Sequence, residues 1–270
     1  MSKDGDIFAT GVTTSTTFVG TLDGAINSDS NTNVKVGSTA LDSNTTGTLN
    51  VAVGDAALTA NTTGSNNVAV GRNAMIINTT GESNTAVGRS ALQQNAASDN
   101  TAIGRDALAA NTTGTYNVAV GAYALDANTT GASNTAFGAE ALTANTTGTV
   151  NVAVGKDSMQ ANTTGDNNTA IGKDSLQYNT TADDNTACGY QALKVNTTGA
   201  RCTAVGTRAL DANTTAVNNT AIGCDAMTNC TTGVDNTAVG REALQYVTTG
   251  YHNTACLLYT SDAADERSSV

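Results

Sequence analysis

The sequence contains no proline and no tryptophan, and only 3 phenylalanines and 7 tyrosines among its 270 residues. A compact core in a globular domain of this size normally depends on aromatic bulk. The apolar residues here are mainly alanine, valine, leucine and isoleucine, and they are accompanied by 27 glycines. The composition therefore argues against an ordinary globular domain.

Positive charge is also scarce, with 12 Lys and Arg against 23 Asp and Glu and a formal net charge of −11. The absence of a basic stripe disfavours nucleic acid and anionic membrane surfaces as partners. No apolar run reaches about 18 residues, so we expect no membrane insertion. The first residues lack an apolar segment, so we expect no secretory signal.

The five cysteines are odd in number and include no CxxC pair. Cys188, Cys202, Cys224, Cys230 and Cys256 fall at unrelated places in the pattern described next. We expect free thiols in a reducing compartment, and neither a disulfide framework nor a zinc site.

What the chain does contain is a repeat, of which residues 236–244 (Asn-Thr-Ala-Val-Gly-Arg-Glu-Ala-Leu) form one copy. Its glycine recurs every 17 residues, except for an interval of 16 between Gly88 and Gly104. We number the positions of each copy 1 to 17 from the asparagine, and the first copy begins at Asn33. A fixed period of this length is typical of stacked repeats. Composition alone would also suit disorder, but disordered chains do not keep large aliphatic residues at fixed positions.

Two positions are apolar throughout: position 4 is mainly Val or Ile, and position 9 is Leu or Met. Positions 6, 7, 10, 16 and 17 vary and carry nearly all the charges, as expected of side chains facing water. We therefore predict a buried core ladder from the two apolar positions. Its members are Val53, Leu58, Val70, Met75, Val87, Leu92, Ile103, Leu108, Val120, Leu125, Phe137, Leu142, Val154, Met159, Ile171, Leu176, Val205, Leu210, Ile222, Met227, Val239 and Leu244.

Glycine at positions 5 and 15, among Asn and Thr, argues against helices. Positions 2 and 4 alternate with a small position 3 as in a strand, and we expect positions 8 and 9 to form a second short strand. The sequence thus predicts an all-β parallel β-solenoid of about 13 coils, a rod roughly 60 Å long. The position-1 asparagines should stack as an Asn ladder. It comprises Asn50, Asn67, Asn84, Asn100, Asn117, Asn134, Asn151, Asn168, Asn185, Asn219 and Asn236.

Alanine at position 3 varies far less than a solvent-facing residue should, so something must lie close against it. In a single coil only the position-4 face would be interior, and we therefore expect the alanine columns to contact sister chains. The predicted partner is a second copy of the chain, in a homo-oligomer.

Three segments follow from the repeat. Residues 1–32 precede it and would form a cap or attachment segment, and residues 33–256 form the solenoid. Residues 257–270 break the register, and residues 256–266 resemble a translated sequencing adapter. We expect this tail to be disordered and non-native, a natural disordered tail being the alternative.

The repeat unit Asn-(Thr/Val)-Ala-(Val/Ile)-Gly-x-x-Ala-Leu-x-x-Asn-Thr-Thr-Gly-x-x resembles those of bacteriophage tail-fibre-like proteins across about residues 33–256. More loosely, it is similar to the head repeats of trimeric autotransporter (YadA-like) adhesins. The resemblance implies a left-handed β-roll, three chains about one axis, and a role in attachment. Lys35, Cys202 and Val247 depart from the pattern at single positions.

No catalytic constellation is evident, and we expect no enzyme activity, cofactor or metal site. The one histidine, His252, occupies a variable position. Asp106, Asp157, Asp174 and Asp225 share position 7 but are too sparse for a calcium ladder. The Asn-Thr-Thr triplets match a glycosylation sequon, but their periodicity indicates stacked corner asparagines.

These observations favour a structural and adhesive shaft of a phage tail fibre, in the virion, that mediates host attachment through an unknown receptor. The alternative is the head of an adhesin at the bacterial cell surface. A more remote alternative is an ice- or carbohydrate-binding solenoid that uses the threonines at positions 13 and 14.

Overall fold

The computed structural model describes residues 27–28 and 32–256, which form a parallel β-solenoid with one coil per repeat. The predicted 257–270 tail and most of the predicted 1–32 segment lie outside these residues. Within the described ranges every regular element is a strand, as the sequence predicted.

Each coil contributes one three-residue strand to a single sheet. The strands are β1 Asn27–Ser28, β2 Val34–Val36, β3 Val51–Val53, β4 Val68–Val70, β5 Thr85–Val87, β6 Thr101–Ile103, β7 Val118–Val120, β8 Thr135–Phe137, β9 Val152–Val154, β10 Thr169–Ile171, β11 Thr186–Cys188, β12 Thr203–Val205, β13 Thr220–Ile222, β14 Thr237–Val239 and β15 Thr254–Cys256. Strands β2 to β15 are parallel and follow chain order, while β1 pairs antiparallel with β2.

The strands stack in phase with the repeat, so each residue lies over its counterpart in the next coil. Thr169 pairs with Thr186 and Ala170 with Ala187, one period apart. The 16-residue copy keeps this register, since Val87 still pairs with Ile103. The missing residue is absorbed in the corner, where a change of length leaves the ladder intact.

The expected second strand at positions 8 and 9 is wrong, because positions 6 to 11 form turns in every complete coil. Asp106 and Leu108, at positions 7 and 9, have φ angles of 55° and 51°. These left-handed conformations cannot continue an extended strand. The turns nevertheless bond from coil to coil, as where the Leu108 amide donates to the carbonyl of Ala124 at 2.9 Å.

The interior contains only part of the predicted core ladder. The position-9 Leu and Met side chains are inside, from Leu58 to Met227, and Leu244 packs partly buried against them. The position-4 members instead project from the outer face of the sheet, half-buried or exposed, and for these the expectation is wrong. They are Val53, Val70, Val87, Ile103, Val120, Phe137, Val154, Ile171, Val205, Ile222 and Val239.

The alternation of side chains along the strand explains why the inner face was assigned wrongly. A strand places positions 2 and 4 on one face and position 3 on the other, but the pattern does not say which face is interior. A 17-residue coil encloses a narrow space, which position-9 Leu or Met, the alanines and two asparagines fill. From β3 to β15 the inner side of the strand holds only alanine, Lys35 of the first coil being the exception, so the larger position-4 residues point outwards.

Candidate interaction surface

The outer face of the sheet is the main surface feature that the fold produces. We call the side chains at positions 2 and 4 of β2 to β15 the outer stripe. They are Thr or Val at position 2 and mainly Val or Ile at position 4, and none is fully buried. Phe137 stands out with 57% of its surface exposed, and Ile103 and Ile171 are 40% and 43% exposed. Position 4 is apolar in every strand of the stripe, whereas position 2 is Thr in β5, β6, β8 and β10 to β15. Large exposed apolar patches mark interaction sites, and the position-4 column is the apolar part of this surface.

The alanine columns do not form such a surface. Ala119, Ala136 and Ala153 at position 3 are completely buried inside their own chain. The expected contact between these alanines and sister chains is therefore wrong. Their near-invariance reflects the lack of room inside the coil.

The structure brings the predicted Asn ladder together inside the coil, where its side chains are fully buried. The backbone amide of Asn117 donates to Oδ1 of Asn100 at 3.0 Å, one coil earlier. Its Nδ2 donates to the carbonyl of Gly131, at position 15 of the same coil, at 2.9 Å. Because buried amides are costly when unpaired, each asparagine binds its coil to the previous one.

A second ladder runs through the position-12 asparagines of the Asn-Thr-Thr triplets. Nδ2 of Asn128 donates to Oδ1 of Asn111 at 2.9 Å and to the carbonyl of Gly131 at 3.0 Å. Gly131 therefore accepts bonds from both ladders. Since Asn128 is fully buried, the folded chain does not present its sequon to a glycosyltransferase.

Two irregularities, the shortened coil and the replacement of a position-12 asparagine by Cys230, each leave a buried oxygen of this ladder unpaired. Oδ1 of Asn78 has no partner at the short coil, where Asn95 donates only to the carbonyl of Ala97. Oδ1 of Asn213 has none because Cys230 replaces the asparagine of the next coil. The hydrogen-bonded ladder is therefore interrupted where the coil is shortened and where cysteine replaces the asparagine.

Charged side chains at positions 6 and 7 pair along the surface. Arg208 forms two bonds to Asp225, at 2.8 and 2.9 Å, and its hydrogen bond is the main cause that lowers the pKa of that carboxyl. A lowered pKa contributes stability that is present above the unfolded pKa and is lost as pH falls through the folded value. Since the Arg208 side chain is 49% exposed, solvent screens this pair and it contributes little.

Asp211, at position 10, has a carboxyl pKa that is raised, in contrast to that of Asp225. Burial raises the pKa of its carboxyl, partly offset by Lys194 and Arg208, and its Oδ1 has no hydrogen-bond partner. Threonine at the same position donates its hydroxyl to the position-7 carbonyl one coil earlier, as Thr143 does to Tyr123 at 3.1 Å. The carboxylate therefore occupies a site that suits a donor.

We expect Asp211→Thr to raise the free energy of unfolding by about 1 kcal/mol near neutral pH, through a new bond to the carbonyl of Gln191. A raised folded pKa means that the wild-type penalty is present above that pKa and disappears below the unfolded value of about 3.9. Urea unfolding at pH 7 and at pH 3 should show the gain shrinking in acid. Asp42→Thr, at an exposed member of the same column, is the control and should change little.

The five cysteines are free thiols in the structure. Cys202 and Cys230 are buried, and burial raises the pKa of the Cys202 thiol to about 11 and that of Cys230 as well. Cys224 is exposed, but its hydrogen bond to Asp225 raises the pKa of its thiol. Because the thiolate is the reactive form, these environments should separate the cysteines by rate.

In native protein at pH 8 we expect iodoacetamide to modify Cys256 fastest and Cys224 more slowly, and to leave Cys202 and Cys230 unmodified. A pKa near 11 leaves only about 0.1% thiolate at that pH, and burial blocks access. Timed alkylation followed by peptide mass spectrometry measures the order. Urea-unfolded protein is the control, and all five sites should then react; early modification of Cys202 would contradict the buried placement.

Other sequence candidates do not assemble into a site. His252 lies 3.8 Å from Asp235 and is largely exposed. Within the described ranges no group of three or more His, Cys, Asp or Glu side chains is placed to hold a metal ion. The same residues include no helix of the length and apolarity needed to cross a membrane.

Comparison of the chain with protein-family models, with curated proteins and with solved structures gave no match.

Proposed function

We propose that this chain is a rigid structural shaft that associates with copies of itself and serves in attachment, as part of a phage tail fibre in the virion. The observation that carries the proposal is the outer stripe, whose position-4 column is an apolar row that follows one unbroken parallel sheet along the rod. A single chain leaves this row in water, and packing against sister chains would bury it. The homotrimer that the repeat resemblance implies is the proposed assembly.

The rod geometry supports a mechanical role. The coils are bonded to their neighbours through strand ladders, turn amides and two buried asparagine ladders. The position-1 ladder extends from Asn33 to Asn253 with Cys202 in one coil, and the position-12 ladder is interrupted at the short coil and at Cys230. Repeats that contact only their neighbours produce extended and stiff molecules. A shaft of this kind holds a binding tip away from the particle without taking part in chemistry.

Sedimentation of the purified protein tests self-association. We expect an oligomer at micromolar concentration, and a folded monomer when the exposed stripe is made charged with Val120→Asp and Phe137→Asp. The matched control is Thr130→Asp with Thr147→Asp, at exposed position-14 sites away from the stripe, which should stay oligomeric. A wild-type monomer would overturn the proposal.

Cys188 reports on the same surface, because it lies half-buried at position 4 of the stripe. Its alkylation should be slow in the wild-type oligomer and should become fast in the Val120→Asp, Phe137→Asp variant. Equal rates in the two proteins would mean that nothing covers the stripe.

The setting of the gene distinguishes the virion from the bacterial cell surface. Neighbouring genes for virion components favour the tail fibre, and neighbouring genes for secretion favour the adhesin head. Gold-labelled antibodies against the rod should then mark phage tails in the first case and cell envelopes in the second.

A second candidate function rests on the corner threonines. At position 13 the hydroxyl of Thr129 donates to the carbonyl of Thr146 at 3.0 Å, so this row is occupied within the chain. At position 14 the threonines, such as Thr130 and Thr147, form a separate exposed row. An exposed row of threonines of this kind is suited to binding ice or carbohydrate. Thermal hysteresis at millimolar protein, lost in Thr130→Asp with Thr147→Asp, would support this alternative over the shaft.

A further inference from the structure

One corner of the rod lacks the hydrogen bonds that join neighbouring coils elsewhere. We number the coils from the one that begins at Asn33, so coil 4 begins at Asn84 and is the coil with 16 residues. It has the single residue Ala96 where every other complete coil has two threonines, at positions 13 and 14. The shortened corner of coil 4 therefore meets a full-length corner in coil 3.

The position-13 amide shows the effect on the backbone. In the described part of the chain, the position-13 amide of every other coil that is followed by a complete coil donates to the position-13 carbonyl of that next coil. Thr129, for example, donates to Thr146 at 2.9 Å. The amide of Thr79, in coil 3, forms no such bond. One backbone bond between coils 3 and 4 is thus missing.

Two side-chain bonds are missing at the same corner. The hydroxyl of Thr62 donates to the carbonyl of Thr79 at 3.0 Å, but the hydroxyl of Thr79 has no equivalent bond to coil 4. Thr79 is accordingly exposed, whereas Thr62 is half-buried. Inside the coil, Oδ1 of Asn78 has no partner, because Asn95 donates only to the carbonyl of Ala97. The loss therefore reaches from the surface of the corner to the interior.

The other sides of these two coils remain joined. Their strands β4 and β5 pair in register, and the position-1 ladder continues, since the amide of Asn84 donates to Oδ1 of Asn67 at 3.0 Å. In the turns, the amide of Met75 donates to the carbonyl of Ala91 at 3.0 Å. The sheet and the turns thus connect two coils whose third side is unbonded.

We propose that this corner is a seam at which the rod opens locally and bends, with the sheet acting as the hinge. The seam consists of residues 78–80 of coil 3 and 95–97 of coil 4. Proteins open first where the fewest bonds hold the structure closed. If one hydrogen bond changes a local equilibrium about fivefold, three missing bonds favour opening roughly a hundredfold over an intact corner. The seam gives the proposed shaft one flexible joint at a fixed height.

A second interruption of the position-12 ladder is a natural comparison. Oδ1 of Asn213 is also unpaired, because Cys230 follows it in the next coil. At that corner, however, the amide and the hydroxyl of Thr214 still donate to the carbonyl of Thr231, at 3.1 and 3.3 Å. Since only one bond is missing there, we expect it to stay closed far more than the seam.

Hydrogen exchange with residue resolution tests the opening. Ile77 and Ala127 are matched reporters, because both occupy position 11 and each amide donates to the position-10 carbonyl of the next coil at 3.2 Å. Ile77 adjoins the seam, and Ala127 adjoins an intact corner. After correction for intrinsic rates, the Ile77 amide should exchange at least about tenfold faster than the Ala127 amide. Equal protection of the two amides would overturn the inference.

Repairing the corner should remove the difference. The repair is Ala96→Thr and Ala97→Gly with one threonine inserted between them, which gives coil 4 the common Asn-Thr-Thr-Gly corner. Exchange at Ile77 should then slow to the level of Ala127, because the missing donors and acceptors regain their partners. A repaired protein in which Ile77 still exchanges fast would contradict the seam.

The seam should also be transferable. Deleting Thr130 shortens the corner of coil 6, so exchange should become faster at Ala110, the position-11 amide of coil 5, which donates to Asp126 at 2.9 Å. Thr130→Ala keeps the length of the corner and is the control. Circular dichroism checks that each variant retains its sheet. A folded deletion variant with slow exchange at Ala110 would show that corner length does not set the opening.

Distances between spin labels test the bending. Thr46→Cys with Thr130→Cys places labels on exposed position-14 sites five coils apart across the seam, and Thr113→Cys with Thr198→Cys does so over intact corners. At about 4.8 Å per coil, each pair is separated by roughly 24 Å. The background is Cys188→Ser, Cys224→Ser and Cys256→Ser, which removes the cysteines that are not buried.

We expect a broader distribution of distances across the seam than over the intact corners, and the repair should narrow it. Dilution of labelled protein into unlabelled protein restricts the measurement to distances within one chain. Equal widths for the two pairs would overturn the hinge. These comparisons are made within single chains, so a monomeric protein would refute the proposed assembly without affecting the test of the seam.

Discussion

Replacing Asn128 with cysteine should lower the free energy of unfolding by about 2–3 kcal/mol, although the two side chains are close in size. Nδ2 of Asn128 donates to Asn111 and Gly131, and its Oδ1 accepts from Asn145 at 2.8 Å. A thiol cannot reproduce these bonds. It leaves Oδ1 of Asn111 buried without a donor, and an unsatisfied buried acceptor costs about 1–3 kcal/mol.

One coil of the chain already has cysteine at the equivalent position, so the reverse substitution there provides a matched variant. Cys230 occupies position 12 one coil after Asn213, whose Oδ1 lacks a partner. Cys230→Asn should satisfy it and stabilise the protein by about 1 kcal/mol. The gain is smaller than the loss at Asn128 because the next coil has Val247, which offers no donor to the oxygen of the introduced amide.

Equilibrium unfolding in urea measures both changes. Each protein must be compared at one concentration, because self-association adds to apparent stability. Opposite signs for Asn128→Cys and Cys230→Asn are the expected result. If both changes were neutral, the buried amide ladders would not stabilise the stack.

Replacing Gly104 with alanine should destabilise the protein by about 3 kcal/mol or more, because two costs combine. Its φ of 137° lies in a region that residues with a Cβ rarely adopt. An added Cβ would also lie 2.5 Å from the carbonyl oxygen of Gly121 in the next coil, and both atoms are held by the stack. Neither cost can be relieved without separating the coils.

Gly199→Ala, at position 15, is the control. The backbone of Gly199 does not lie in the left-handed region that Gly104 occupies. An added Cβ would also crowd a carbonyl, that of Ala216, but alanine already occupies this position at Ala182 and Ala216, and both are buried. Coils with alanine at position 15 still bond to the next coil through the position-13 threonine, as where the Thr180 amide donates to the carbonyl of Thr197 at 3.1 Å. We expect Gly199→Ala to lower the free energy of unfolding by about 1 kcal/mol, the contribution of one hydrogen bond. Thermal and urea unfolding would contradict the prediction if the two alanines cost the same.

The period, the parallel stack and the Asn ladder were predictable from the sequence, because each follows from residues recurring in phase. The inner face of the strand was not. Alternation shows that Val118 and Val120 share a face, but only the volume inside the coil decides that Ala119 fills it. An invariant small residue signals close packing, and close packing occurs inside a narrow coil as well as between chains.

The turns at positions 6 to 11 were hidden for another reason. We expected positions 8 and 9 to extend as a strand, yet the closed coil places Leu108 in a left-handed turn, where its side chain is buried.

The in-phase pairing of the strands has a consequence for the gene. Because every coil presents the same bonds above and below, removing or adding 17 whole codons would change the rod by about 4.8 Å and leave its cross-section unaltered. Length would then be set by recombination between copies, in equal steps.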